Sequence, residues 1–184
     1  MDLPALLADQ LDWHWTNSLR PRFEGLTDDE YLWEPVEGCW SIRPREDART
    51  PMAAGAGTHV ADFEIPEPEP APVTTIAWRL GHIAVGIFGA RAASHFEGEP
   101  MLYESTEWSP TAEGGLDLVD RTYESWIQGV KSLTAADLEK PVGEAEGPFA
   151  EHSMAELILH INREAIHHGA EVALLRDLYR HRDS

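Results

Sequence analysis

A chain of 184 residues with 42% hydrophobic content is long enough for one well-buried core and short for two, so a single domain over 1–184 is expected. Fourteen Lys and Arg stand against 33 Asp and Glu, a formal charge of −19 that repels phosphate backbones and anionic membranes and argues against nucleic-acid binding. Cys39 is the single cysteine, which excludes an intrachain disulfide and a cysteine-built zinc site, so any metal has to be held by His, Asp or Glu.

The start, Met1-Asp-Leu-Pro-Ala5, has no basic segment followed by an apolar run and a small-residue cleavage site. The longest apolar run, Ile83 to Ala90, is far short of the ~20 residues of a membrane span. A soluble, cytoplasmic protein is the expectation.

In chain order the pattern reads as helices. Leu3, Leu6, Leu7, Leu11, Trp15 and Leu19 recur at intervals of three and four, predicting a first amphipathic helix over 3–21 that ends near Pro21. Its Trp13-His14-Trp15 triplet reads as core aromatics around an edge histidine. Leu26-Thr-Asp-Asp-Glu30 then offers a Thr-x-x-Glu capping box for one short turn closed by Pro35. From 33 to 73 the periodicity dissolves among prolines and glycines. A connection this long crosses over other elements or covers a site, and a short hairpin within it stays open.

A second helix is predicted over 74–97. On its wheel Thr75, Trp78, His82, Gly86, Gly89, Ala93 and Phe96 share one face, so His82 points inward; the glycines beside it allow either close helix approach or a cavity. After a Pro- and Trp-containing link, Leu116, Val119, Tyr123, Trp126, Ile127, Val130 and Leu133 form the cleanest apolar stripe of the chain, on a third helix over 115–133. Leu133-Thr-Ala-Ala-Asp137 repeats the grammar of the first capping motif. A fourth helix over 152–181 contains His160-Ile-Asn-Arg-Glu-Ala-Ile-His-His168.

That last stretch carries the chemistry. At ~100° per residue, Leu157, Ile161, Val172 and Leu175 lie within about 40° of His168, so His168 points with the core stripe. Glu164 lies one turn earlier, about 40° to the side, and His160 about 80° to the side. An inward carboxylate and imidazole need a shared proton, a water or a cation. One helical turn brings two side chains to one point, as in bundles that carry metal ligands. A plain buried Glu–His hydrogen bond is the alternative. Laying the second helix on the fourth puts His82-Ile83 on His160-Ile161, which points to one side of the bundle where His82, His160, Glu164 and His168 converge. Arg163 and Arg176 lie farther round and read as surface charge.

Gly25-Leu-Thr-Asp-Asp-Glu-Tyr-Leu-Trp-Glu-Pro35, Trp40-Ser-Ile42, Trp78-Arg-Leu-Gly-His-Ile83 and the run from His160 to Asp177 together resemble the DinB-like superfamily over nearly the whole chain. The resemblance implies an all-α, up-down-down-up four-helix bundle with long crossover connections. It also implies a metal held by one residue of the second helix and two, one turn apart, of the fourth. The matching positions are His82, Glu164 and His168, where many members have three histidines. The carboxylate is what the related mycothiol-dependent maleylpyruvate isomerases carry. A divalent ion is implied, with Zn expected ahead of Ni. His160 and Glu171 flank the trio, with His167 at the helix edge, as surrounding partners or alternative ligands.

Three functions follow as expectations. The first is activation of a low-molecular-weight thiol for a transferase or isomerase reaction on a small-molecule substrate. The others are metal-assisted hydrolysis and a non-catalytic, metal-stabilised binding or stress-response module. Trp33, Trp40, Trp78 and Trp108 line the mouth of the site or, where exposed, a homodimer interface.

Overall fold

The computed structural model describes residues 2–183. Helices dominate these residues, with one two-stranded antiparallel sheet between them. Helix α1, Leu3–His14, is capped by the Asp2 side chain, which accepts from the Ala5 N–H, and carries Pro4 in the first turn, where a missing N–H costs nothing. It runs on through a wider π-type segment, Trp15–Leu19, and a tight 3-10 turn, Arg20–Phe23. Helix α2, Asp28–Tyr31, is the single turn expected after Thr27.

The second long helix is a composite of α3, Ile76–Gly81, a π-type segment, His82–Gly89, and α4, Ala90–His95. Helix α5, Ala112–Lys131, carries the amphipathic stripe. Helix α6, Ala135–Leu138, opens on a reciprocal capping box between Thr134 and Asp137, and α7, Met154–His181, on another between Ser153 and Glu156.

These helices pack around a core in which Leu11, Phe23, Leu80, Ile83, Phe88, Trp126 and Ile158 have no exposed surface. Each such side chain contributes about 1.5–3 kcal/mol through burial. Contacts between α1 and α7 run in one sense: Asn162 donates to the Leu7 carbonyl at 2.9 Å, and farther along Arg22 meets Asp177 at 2.7 Å. Between α1 and α5 the sense is opposite, with Asp12 on Lys131 at 2.6 Å and Arg20 on Asp120 at 2.8 Å. The composite helix and α5 run together, Phe88 against Tyr123 and Phe96 against Trp126, while Arg79 meets Glu171 and His82 meets His168 in the opposite sense along α7.

The connection from 33 to 73 does contain paired strands. β1, Ile42–Pro44, lies antiparallel to β2, His59–Ala61, with Ile42 opposite Ala61. The fully buried Asp62 holds it together, accepting from Arg43 Nε at 2.6 Å and from the Ser41 and Arg49 N–H groups at 3.1 Å each. Trp78 Nε1 donates to the Asp62 carbonyl at 2.7 Å, so this layer is anchored one turn before His82.

Three expectations fail in the fold. Arg176 is not surface charge: it is 1% exposed, bonds both Glu30 oxygens at 2.7 and 3.0 Å, and donates to the Arg22 and Glu24 carbonyls at 2.5 and 2.9 Å. Its guanidinium satisfies carbonyls left free where the first helix ends, and Glu30 neutralises it. Glu30 is therefore unavailable for the capping box; Thr27 still accepts from the Glu30 N–H, but the return contact is missing. Trp13 is 60% exposed, so only Trp15 of the triplet serves the core, stacked on Tyr123 at 4.5 Å.

Candidate metal centre

His82 stands at the point where the composite helix changes from α to π winding, the kind of local widening that often marks a functional position. Its ring lies parallel to the Trp78 indole at 5.4 Å and meets the His168 ring edge to face at 4.9 Å. His82 Nδ1 is 2.8 Å from the Tyr103 hydroxyl. Burial, reinforced by the neighbouring His168, Arg79 and Arg91, pushes the His82 imidazolium down to about 3. The ring is therefore neutral at ordinary pH, the form that ligates metal.

On α7, His168 Nδ1 lies 2.7 Å from Glu171 Oε2 and its Nε2 lies 3.5 Å from Glu164 Oε2. Burial lowers the His168 pKa, opposed by the Glu171 carboxylate. The other Glu164 oxygen faces Arg163 at 3.4 Å and His160 Nδ1 at 3.5 Å. Glu171 is shared with Arg79, whose Nε approaches to 2.8 Å without the alignment of a hydrogen bond. Arg79 also lies over the Trp78 ring at 5.2 Å, completing a layer of guanidinium, indole and imidazole.

The two imidazoles thus have their Nδ1 atoms engaged by a hydroxyl and a carboxylate, and among the described residues neither Nε2 makes a hydrogen bond, His168 Nε2 standing 3.5 Å from Glu164. Ligand atoms around a tetrahedral zinc with bonds of about 2.0 Å are separated by about 3.3 Å. The 3.5 Å between His168 Nε2 and Glu164 Oε2 is close to that spacing, so this pair fits a small divalent ion. Among the described residues, the three donors whose ligating atoms all lie within 4.8 Å of one another are His167, His168 and Glu171, a set that shares only His168 with the trio expected. Of these, His167 is the most open, with 65% of its side chain exposed.

Gly86 leaves no open chamber beside His82, and Gly89 borders a separate cavity of about 220 Å³ away from the imidazole, lined also by Met101 and Arg121. A Cβ on Gly86 would stand 2.9 Å from the Tyr103 hydroxyl and 3.1 Å from His82 Nδ1, and one on Gly89 would run into Met101 Sδ. Residues of the link between the second and third helices fill the space. Trp40, Trp78 and Trp108 are buried, at 6, 7 and 5% exposure, and form a wall rather than a mouth. Phe63 and Trp108 lie against Tyr103 at 5.7 and 5.6 Å. Tyr103 and Arg79 are the members that sequence reasoning passed over; apolar Met101, Tyr103 and Trp108 in an otherwise polar link were the available signal.

A mostly helical bundle with a His/His/Glu group able to hold a metal defines a class of helical metal-binding proteins. The family model described as the DinB superfamily matches residues 10–172, nearly the whole chain, and the protein belongs to that superfamily. Neither the curated proteins nor the solved structures contain a significant match to it.

Proposed function

We propose that this end of the bundle holds a divalent ion, zinc ahead of nickel, through Nε2 of His82, Nε2 of His168 and the Glu164 carboxylate, and serves to activate a low-molecular-weight thiol for a transferase or isomerase reaction. The observation that carries this reading is the pair of engaged Nδ1 atoms, 2.8 Å from Tyr103 and 2.7 Å from Glu171, which turns both Nε2 atoms into the available donors. An ion bound there would supply Lewis acidity, lowering the pKa of a coordinated thiol or water. The protein's own groups do the rest. Tyr103 and Glu171 fix the rings, Trp78 covers one face of His82, and Arg79 offsets the Glu171 charge beside His168. The senses in which the helices meet support an up-down-down-up course. A thiol-dependent reaction fits a reducing, cytoplasmic setting. No helix among the described residues is long and apolar enough to cross a membrane.

A second reading has its own observation: the close set of His167, His168 and Glu171 favours an ion on the outer side of α7. In that arrangement Glu171 would ligate through Oε1, which faces His167 Nε2 at 3.4 Å, while Oε2 keeps Arg79, and the buried His82 would be idle. Metal analysis of single variants separates the two. Loss of stoichiometric metal in His82→Ala with retention in His167→Ala supports the inner site, and the reverse pattern overturns it. Titrating the cobalt-substituted protein with mycothiol, bacillithiol and glutathione then tests the chemistry: a thiolate-to-metal charge-transfer band is expected with at least one. No band with any of them removes the thiol.

A further inference from the structure

A cavity of about 760 Å³ opens between the first turns of α7, the tight turn over Glu144–Phe149 and Arg91 of the second helix. Its apolar wall is made by Val142, Phe149, Leu157 and Leu159, of which Phe149 and Leu159 are 59 and 48% exposed. Exposed apolar side chains gathered at a concave surface are what a small organic ligand displaces water from.

Charge says which ligand. In a chain with 33 acidic and 14 basic residues, an arginine-lined cavity runs against the average. Arg91 and Arg163 both line it, beside His160. The two carboxylates present are already engaged: Glu146 lies on His95 at 3.0 Å and Arg91 at 3.3 Å, and Glu156 closes the capping box with Ser153 at 2.8 Å. Arg91 is held by Glu146 and by the Gly86 carbonyl, so the cation open to a ligand here is Arg163. Arg163 reaches His160 Nδ1 at 2.7 Å, and since a guanidinium only donates, that nitrogen accepts and the imidazole proton sits on Nε2, where it is available as a donor. Apolar walls edged by Arg163, 68% exposed and held by Glu164 only at 3.4 Å, and by the His160 Nε2–H match an amphipathic anion.

We infer that this cavity is a binding site for a small organic acid, an aryl or alkyl carboxylate whose body lies on Leu157, Leu159 and Phe149 and whose carboxylate meets Arg163 and His160. The binding does not require the metal, but its location bears on it: His160 Nδ1 is 3.5 Å from Glu164 Oε1, so the acid group is held one helical turn from the proposed centre.

The test uses the whole chain, as purified and again after chelator treatment, with 8-anilinonaphthalene-1-sulfonate as a fluorescent apolar anion. 3-Phenylpropionate is expected to displace it at least about tenfold more effectively than 3-phenylpropan-1-ol or phenethylammonium, because a charge-assisted contact is lost in both comparisons. Arg163→Glu and Leu159→Glu alter side chains with large exposed surface and should each abolish displaceable binding while the thermal melt stays cooperative. Equal displacement by acid and alcohol overturns the inference, as does wild-type binding in both variants. Displacement that is the same with and without chelator keeps this site separate from the fate of the metal reading; binding found only with metal present would overturn the location argued here.

Discussion

Replacing Gly86 by Ala tests how tightly the His82 ring is held. Alanine in a helix interior ordinarily gains about 1 kcal/mol over glycine, so propensity alone predicts a stabler protein. The structure predicts the opposite. The new Cβ would lie 2.9 Å from the Tyr103 hydroxyl and 3.1 Å from His82 Nδ1, inside the hydrogen bond that joins them. Tyr103 has little room to retreat, being wedged against Phe63 and Trp108. Overpacking costs about 1–3 kcal/mol and a lost hydrogen bond about 1 kcal/mol. Against the propensity gain the net is a loss of about 2 kcal/mol, or about 4–8 °C in melting temperature for a chain of this size. Loss of an orienting partner should also weaken metal binding about 10–100-fold. Combining Gly86→Ala with Tyr103→Phe removes the oxygen the methyl group meets, so the double variant should be less destabilised than the sum of the singles. Differential scanning calorimetry and a competitive metal titration provide both readouts. Additive effects, or a Gly86→Ala protein that melts higher with unchanged metal affinity, would refute the argument.

Other outcomes follow from the same geometry. Arg176→Ala leaves Glu30 buried and uncompensated and should cost about 3–5 kcal/mol in urea unfolding; a cost below about 1 kcal/mol would show the pair to be dispensable. His95→Ala should keep its metal, since His95 contacts Glu146 rather than the candidate centre, and metal loss there would move the site. An ion that binds only the folded chain, present at 100 times its dissociation constant, contributes about 2.7 kcal/mol, so chelation should lower the melting temperature by about 5–11 °C; an unchanged melt argues against tight binding at any of these donors. The pH dependence has a definite sign. Burial first, then the neighbouring cations, lowers the His82 pKa to about 3, so below the unfolded value near 6.5 the unfolded chain binds the extra proton. Stability of the chelated protein should therefore fall as pH drops from about 6.5 towards 3, by up to about 1.4 kcal/mol per pH unit from this group. Loss of that slope in His82→Ala is the check; an unchanged slope would assign it to other groups.

The long helices were legible because their stripes satisfy a local rule. Leu116 to Leu133 repeats at helical spacing and α5 follows, and Thr134 stands at an N-cap with Asp137 three residues on. Arg176 was not legible. Its side of α7 looked solvated because nothing local reveals that the carbonyls of Arg22 and Glu24 end there, more than 150 positions away in sequence. The short strands were equally hidden, since three-residue segments such as Ile42–Pro44 have no usable periodicity and are fixed by Asp62 from another part of the chain.

The candidate site shows the same division in a sharper form. An angle of 100° per residue holds along α7, so the relation of Glu164 to His168 could be read in advance and the two side chains do meet. It does not hold from His82 to Gly89, where the π winding takes more residues per turn, and a wheel drawn through that segment misplaces what lies beside Gly86 and Gly89. The glycines there looked like empty space because a sequence shows only the side chain that is missing. What uses the gap is Tyr103 and Met101, delivered by a link with no period at all. Gly86 is then not a window beside the imidazole but the condition for its support: a residue without a Cβ lets a phenol reach Nδ1, and an engaged Nδ1 is what leaves Nε2 as the donor. A protein that needed only close helix packing at this point would have no use for the hydroxyl, and phenylalanine would fill the space as well. The Tyr103→Phe protein separates these purposes, since a packing role predicts full retention of metal affinity and an orienting role predicts its loss at nearly constant stability.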